Sequence, residues 1–192
     1  SLRRGATTQL QLRMELPRAL HQGQFRAVYQ PIHATGGAAL RGSALMGFEA
    51  LARWPHPGRG PVSPAEFIPA AEASGAIGEL GQWMLGQACQ QAALWNHGDH
   101  AYSMSVNVSG AQLSDPQLAQ HLAAALETAG LPAELLIVEL TESVLVDSPA
   151  TIAALTSLRE VGVGIAVDDF GTGYSSLAYL QPYFPHFLGV LW

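Results

Sequence analysis

The chain has 192 residues, 48% hydrophobic and 12% charged, which suits one domain with a large core and excludes a disordered segment. The net charge is −6, and all nine basic residues are arginine; with no basic stripe, duplex DNA or RNA is an unsuitable partner. No apolar run approaches the roughly 20 residues of a membrane span. The first residues lack an apolar signal core, and Cys89 is the single cysteine, so a reducing, cytoplasmic setting is expected.

Residues 10–22 carry an amphipathic helical pattern. "FRAVYQPI" (25–32) reads as a strand stopped by Pro31, and "HATGGAALRGS" as a turn or loop. "LMGFEALARW" (45–54) reads as a second strand, followed by the loop "PHPGRGPV". Ser63, Pro64 and Glu66 form the start signal of a helix, a capping box with proline at the first position. A long helical pattern covers 76–95, and "YSMSVNVS" (102–109) is a strand. Ser114 with Gln117 repeats the cap signal before "LAQHLAAALETAG", which Gly130 ends. "LLIVELTES" (135–143) is a strand. Ser148–Pro149 opens a helix that Gly162 closes, "GIAVDD" (164–169) is the last clear strand, and "YSSLAYL" opens one more helix. Strand–helix alternation predicts parallel strands joined by helical crossovers, and fits a doubly wound sheet or a (β/α) barrel.

Side chains alternate across a strand, so parity sorts them into faces. Glu49, Leu51 and Arg53 share one face of the second strand. Ser105 and Asn107 oppose Met104, Val106 and Val108. Glu139 and Thr141 oppose Val138 and Leu140, and Asp168 opposes Val167. Four strands thus end in a polar residue opposite an apolar face, and Glu49, Asn107, Glu139 and Asp168 are expected at one mouth, where α/β folds build active sites. Three carboxylates and an amide repel or strand one another unless a cation joins them. An all-oxygen set suits Mg²⁺, Mn²⁺ or Ca²⁺. Asp169, at the strand end, could reach metal as well, and paired ions suit phosphoester hydrolysis.

Simpler readings exist for each residue alone. A glutamate at a strand end is ordinarily a solvated edge residue, and "DDFGTG" could be a turn served by its glycines. Joint occurrence at equivalent ends of four strands favours the shared-cation reading. The histidines lack zinc-site spacing, "GTGYSS" lacks a phosphate-loop lysine, and Ser109 has no evident histidine partner.

The motifs "YQPI", "GFEALARW", "FIPAAEASG", "NVSGAQL", "VELTES" and "VDDFGTGYSSLAYL" occur in order over roughly residues 9–181. On them the chain resembles the EAL-domain phosphodiesterases, which hydrolyse cyclic di-GMP in bacterial signalling. The resemblance implies a TIM-type (β/α) barrel whose first strand runs antiparallel. It implies metal ligation by Glu49, Asn107, Glu139 and Asp168, with Asp169 bridging to a second ion. Glu49, Glu139, Asp168 and Asp169 would then be catalytic, served by two Mg²⁺ or Mn²⁺ ions. Arg53 matches the arginine on substrate phosphate, Gln30 lines the pocket and Leu51 its floor. Glu142 would hold the "DDFGTGYSS" loop. The implied chemistry lowers the pKa of a bridging water, whose hydroxide opens one phosphodiester bond to give linear pGpG. The family is bacterial and cytoplasmic, commonly dimerises, and often follows a sensory or diguanylate cyclase domain in a parent chain.

Beyond "SSLAYLQ" the family continues into an "LPVDxLKID"-type strand with an active-site lysine, whereas this chain reads "PYFPHFLGVLW" and contains no lysine. The family's later glutamate and glutamine also lack counterparts. The expected organisation is therefore an EAL domain over 1–181, with its barrel cut after the fifth strand, and a divergent apolar tail over 182–192. The alternative function is a non-catalytic EAL-like module that binds nucleotide or a protein partner.

Overall fold

The computed structural model describes residues 2–34, 44–97, 101–141, 144 and 148–168. The expected helix at "YSSLAYL", the tail, Glu142 and Asp169 lie outside the described residues. Helix α1 (Leu2–His21) leads into strands β1 (Arg26–His33), β2 (Leu45–His56) and β3 (Gly60–Val62). Helices α2 (Pro64–Ser74) and α3 (Ile77–Trp95) precede β4 (Ser103–Asn107). Then come α4 (Gly110–Leu113), α5 (Leu118–Ala129), β5 (Leu136–Thr141), α6 (Pro149–Val161) and β6 (Gly164–Asp168).

The main sheet has the order β1-β2-β4-β5-β6, with β3 paired to the far end of β2. β1 runs antiparallel to β2, while β2, β4, β5 and β6 pair in parallel. Among the described residues the sheet does not close on itself. The architecture is thus mixed α/β with an antiparallel first strand.

Local chemistry explains most boundaries. At α2 the Ser63 N–H donates to Glu66 Oε2 at 3.4 Å, and Gly75, at φ 78°, turns the chain out of the helix. Ser148 Oγ accepts the Thr151 N–H at 3.1 Å at the start of α6. Three local readings change. Strand β1 runs through Pro31 to His33; among the described residues it borders the sheet and pairs with β2 alone, a position where proline is tolerated. The stretch read as a loop over 55–62 is a hairpin instead: β2 runs on to His56, and Gly60–Val62 pairs back on His56–Trp54 as β3. The reciprocal cap expected at Ser114 and Gln117 lies at Ser109 and Gln112 instead. There the Ser109 N–H donates to Gln112 Oε1 at 3.1 Å and the Gln112 N–H to Ser109 Oγ at 3.3 Å. Ser114 Oγ donates back to the Gly110 carbonyl at 2.9 Å, and Asp115 Oδ1 takes the Gln117 N–H at 2.9 Å.

Two cores hold these elements. The larger lies between the sheet and α3, α5 and α6, and includes Leu85, Ala88, Met104, Val106, Leu122, Leu136, Val138, Leu155 and Val167. The smaller packs α1 and α2 against the β2–β3 hairpin through Leu12, Leu16, Phe25, Trp54, Phe67 and Leu80. Trp54 is 1% exposed, yet its indole N–H donates to Gln24 Oε1 at 3.1 Å.

Candidate functional site

The register of the parallel strands builds the site. Glu49 of β2 pairs with Ser105 of β4, whose next same-face residue is Asn107. Asn107 pairs with Glu139 of β5. Glu139 pairs with Ala166 of β6, two residues before Asp168, which itself pairs with Thr141. Two of the three steps advance the polar position by two residues toward the strand C-termini, from Glu49 to Asn107 and from Glu139 to Asp168, while Asn107 and Glu139 lie level. On the antiparallel side Gln30 of β1 pairs directly with Glu49.

Side chains meet accordingly. Asn107 Nδ2 donates to Glu49 Oε1 at 2.7 Å. Glu139 is 4% exposed, one of three buried polar residues among those described, the others being Ser105 and Gln112. Its backbone carbonyl takes the Val108 N–H at 2.9 Å, which ties the turn after Asn107 to β5. Glu49, Asn107 and Glu139 are therefore brought together across three adjacent strands about 5 Å apart. The Asp168 backbone continues the same staircase; its side chain, Asp169 and Glu142 lie outside the described residues. No cluster of three histidine, cysteine, aspartate or glutamate side chains that could hold a metal occurs among the described residues. The described donors are two carboxylates and one carboxamide, an oxygen-only set that suits a hard divalent cation.

A cavity of about 190 Å³ lies between β2 and helices α2 and α3, and of Glu49, Asn107 and Glu139 it is Asn107 that lines it. Leu51, Arg53, Asn107 and Gln112 line it, with Phe67 and Ile68 of α2 as an apolar wall. The Arg53 guanidinium donates to the Ala52 carbonyl at 3.0 Å and forms no ion pair among the described residues, which leaves donors for an anionic group. A larger cavity of about 420 Å³ lies between α4, α5 and α6; none of Glu49, Asn107 and Glu139 lines it. The sequence reading missed Gln112, although its S-x-x-Q spacing from Ser109 follows directly on Asn107.

The EAL domain family profile matches residues 13–188. The chain belongs to the EAL domain family. It is 41% identical over 184 residues to the bifunctional diguanylate cyclase/cyclic di-GMP phosphodiesterase MucR of Pseudomonas aeruginosa, covering 94% of this chain and 26% of that protein. It is 42% identical over 178 residues to the cyclic di-GMP phosphodiesterase NbdA of the same organism, covering 92% of this chain and 22% of that protein. The chain thus spans about a quarter of the length of these curated relatives. The solved structure of the PaMucR phosphodiesterase in complex with c-di-GMP matches with a TM-score of 0.80 at 41% identity, over 89% of this chain and 68% of that one. This EAL domain therefore has phosphodiesterase relatives, and its fold matches theirs. No described helix is long and apolar enough to cross a membrane.

Proposed function

We propose that this EAL domain hydrolyses cyclic di-GMP to linear pGpG with Mg²⁺ or Mn²⁺, its sheet forming part of a TIM-type barrel in the bacterial cytoplasm. The observation that carries the reading is the register that sets Glu49, Asn107 and Glu139 on neighbouring strands, with Asn107 bonded to Glu49 and lining a cavity that Arg53 also lines. Glu49, Asn107 and Glu139 would hold the cation, joined by Asp168, and Asp169 would reach a second ion. A bound ion of this kind supplies Lewis acidity to the phosphate and makes water acidic enough to attack at neutral pH.

The remaining roles belong to this chain's own groups. Arg53 offers paired N–H donors to a phosphate oxygen and fixes the phosphodiester over Leu51. Gln30, level with Glu49, presents an amide to the substrate edge. Glu142 would steady the segment that follows Asp168. Buried Glu139 would serve as an acceptor screened from bulk water. Cyclic di-GMP is the proposed partner; a second copy of the chain and a linked sensory or cyclase domain are further proposed partners.

One observation favours a second reading. The sequence contains no lysine, so the family's active-site lysine has no counterpart here, and the domain could bind the nucleotide without turning it over. Release of pGpG from cyclic di-GMP with Mn²⁺, compared between wild type and Glu49→Ala, separates the two. We expect turnover in wild type and a loss of at least a hundredfold in the variant, as removal of a metal ligand predicts. Nucleotide binding without pGpG release in wild type would establish the second reading.

A further inference from the structure

Gly81 sits inside α3, where a glycine costs about 1 kcal/mol relative to alanine, and it adopts no left-handed conformation that would require it. The space it leaves is filled. A Cβ at Gly81 would fall on the Gln112 amide nitrogen, with the Gln112 Cδ at 3.0 Å. Gln112 is 7% exposed, held from one side by α3 and from the other by its reciprocal cap with Ser109. Asn107 lies two residues before that cap, and both Asn107 and Gln112 line the cavity beside Arg53. The only described side-chain hydrogen bond of Asn107 is the one to Glu49, from the other side of the site.

From this we infer that Gln112 is a positioning residue: clamped against the bare Cα of Gly81, it fixes the Asn107–Ser109 turn and so aims the Asn107 amide at the cation shared with Glu49. The inference rests on the proposed metal-dependent reading. The Gln112 amide fills the space a side chain at Gly81 would take, so α3 closes on it from the side opposite Ser109. Residues that orient a ligand in this way typically carry about 10–100-fold in metal affinity.

Titration of the purified protein with Mn²⁺ by calorimetry, alongside thermal melting, tests this. Wild type should take up Mn²⁺, and Gln112→Ala should weaken uptake about tenfold. Gly81→Ala, which displaces the amide without removing it, should weaken uptake several-fold. Gly81→Ala added to Gln112→Ala should cost nothing more in affinity, since no amide remains to displace. Affinity within twofold of wild type for Gln112→Ala, or fully additive losses in the double variant, would overturn the positioning role while leaving the metal reading intact. Failure of wild type to bind Mn²⁺ overturns the metal reading itself. If Gln112→Ala does not fold, Gly81→Ala decides alone: unchanged affinity rejects the role, and a several-fold loss with a melting temperature near wild type supports it.

Discussion

Phe25, Trp54 and Phe67 fill the smaller core with large rings, whereas the core behind the sheet spreads its burial over many leucines, valines and alanines. Phe25 stacks on Trp54 with ring centroids 5.1 Å apart and meets Phe67 edge-on at 5.5 Å. The two cores also support different parts of the site. The aliphatic core underlies β4 and β5, which carry Asn107 and Glu139; the aromatic one seats α2, whose Phe67 and Ile68 wall the cavity. Burial concentrated in a few rings should be lost in large steps, and burial shared among many aliphatic groups in smaller ones.

The strongest attack on this contrast is Trp54→Ala. It removes the ring stacked on Phe25 and leaves Gln24 without its indole donor. The expected loss is about 4 kcal/mol in chemical denaturation. Leu122→Ala, at a fully buried position of α5, should cost about 3 kcal/mol, because neighbouring small residues can partly close the gap. Equal losses at the two sites would erase the distinction.

A gentler probe lies at the rim of the aromatic core. Glu15 of α1 accepts from His56 Nε2 at 2.8 Å, and the Gly58 N–H donates to the other ring nitrogen at 3.1 Å. That pattern places the proton of neutral His56 on Nε2. Glu15→Gln, at a half-exposed position, should cost about 1 kcal/mol. Amide hydrogen exchange should rise in α1 more than in α5; uniform acceleration would mean the two cores open as one.

The smallest effect belongs to Cys89, fully buried in the aliphatic core. Burial pushes its thiol up from 9.0 to about 11. The unfolded chain therefore releases this proton first, so the contribution to stability is complete below pH 9 and is lost as pH rises toward 11. Alkylating reagents at pH 8 should label the denatured protein and spare the native one. Rapid native labelling would show that this core opens readily.

How much of this could be read beforehand varies with how local the cause is. The alternation of strands and helices, Gly130 and Gly162 as helix ends, and the parity of Glu49, Asn107 and Glu139 are written in short-range pattern. β3 escaped because "GPV" has no strand signal of its own; only pairing with β2 makes it one. The misplaced cap had the same spacing, S-x-x-Q, as the true one five residues earlier, and local sequence could not rank them. Gly81 and Gln112 lie 31 positions apart, and their contact follows from packing of α3 against α4.

The reversed direction of β1 has one more consequence. Its connection to β2 leaves from His33 and returns at Leu45, at the N-terminal start of β2, away from Arg53 and the cavity. The Ala34 N–H donates to the Ala44 carbonyl at 2.9 Å and pinches the base of that connection shut. Foreign sequence spliced between those two alanines would hang from a fastened stem on the side of the domain remote from chemistry, which makes this the natural place to attach a reporter.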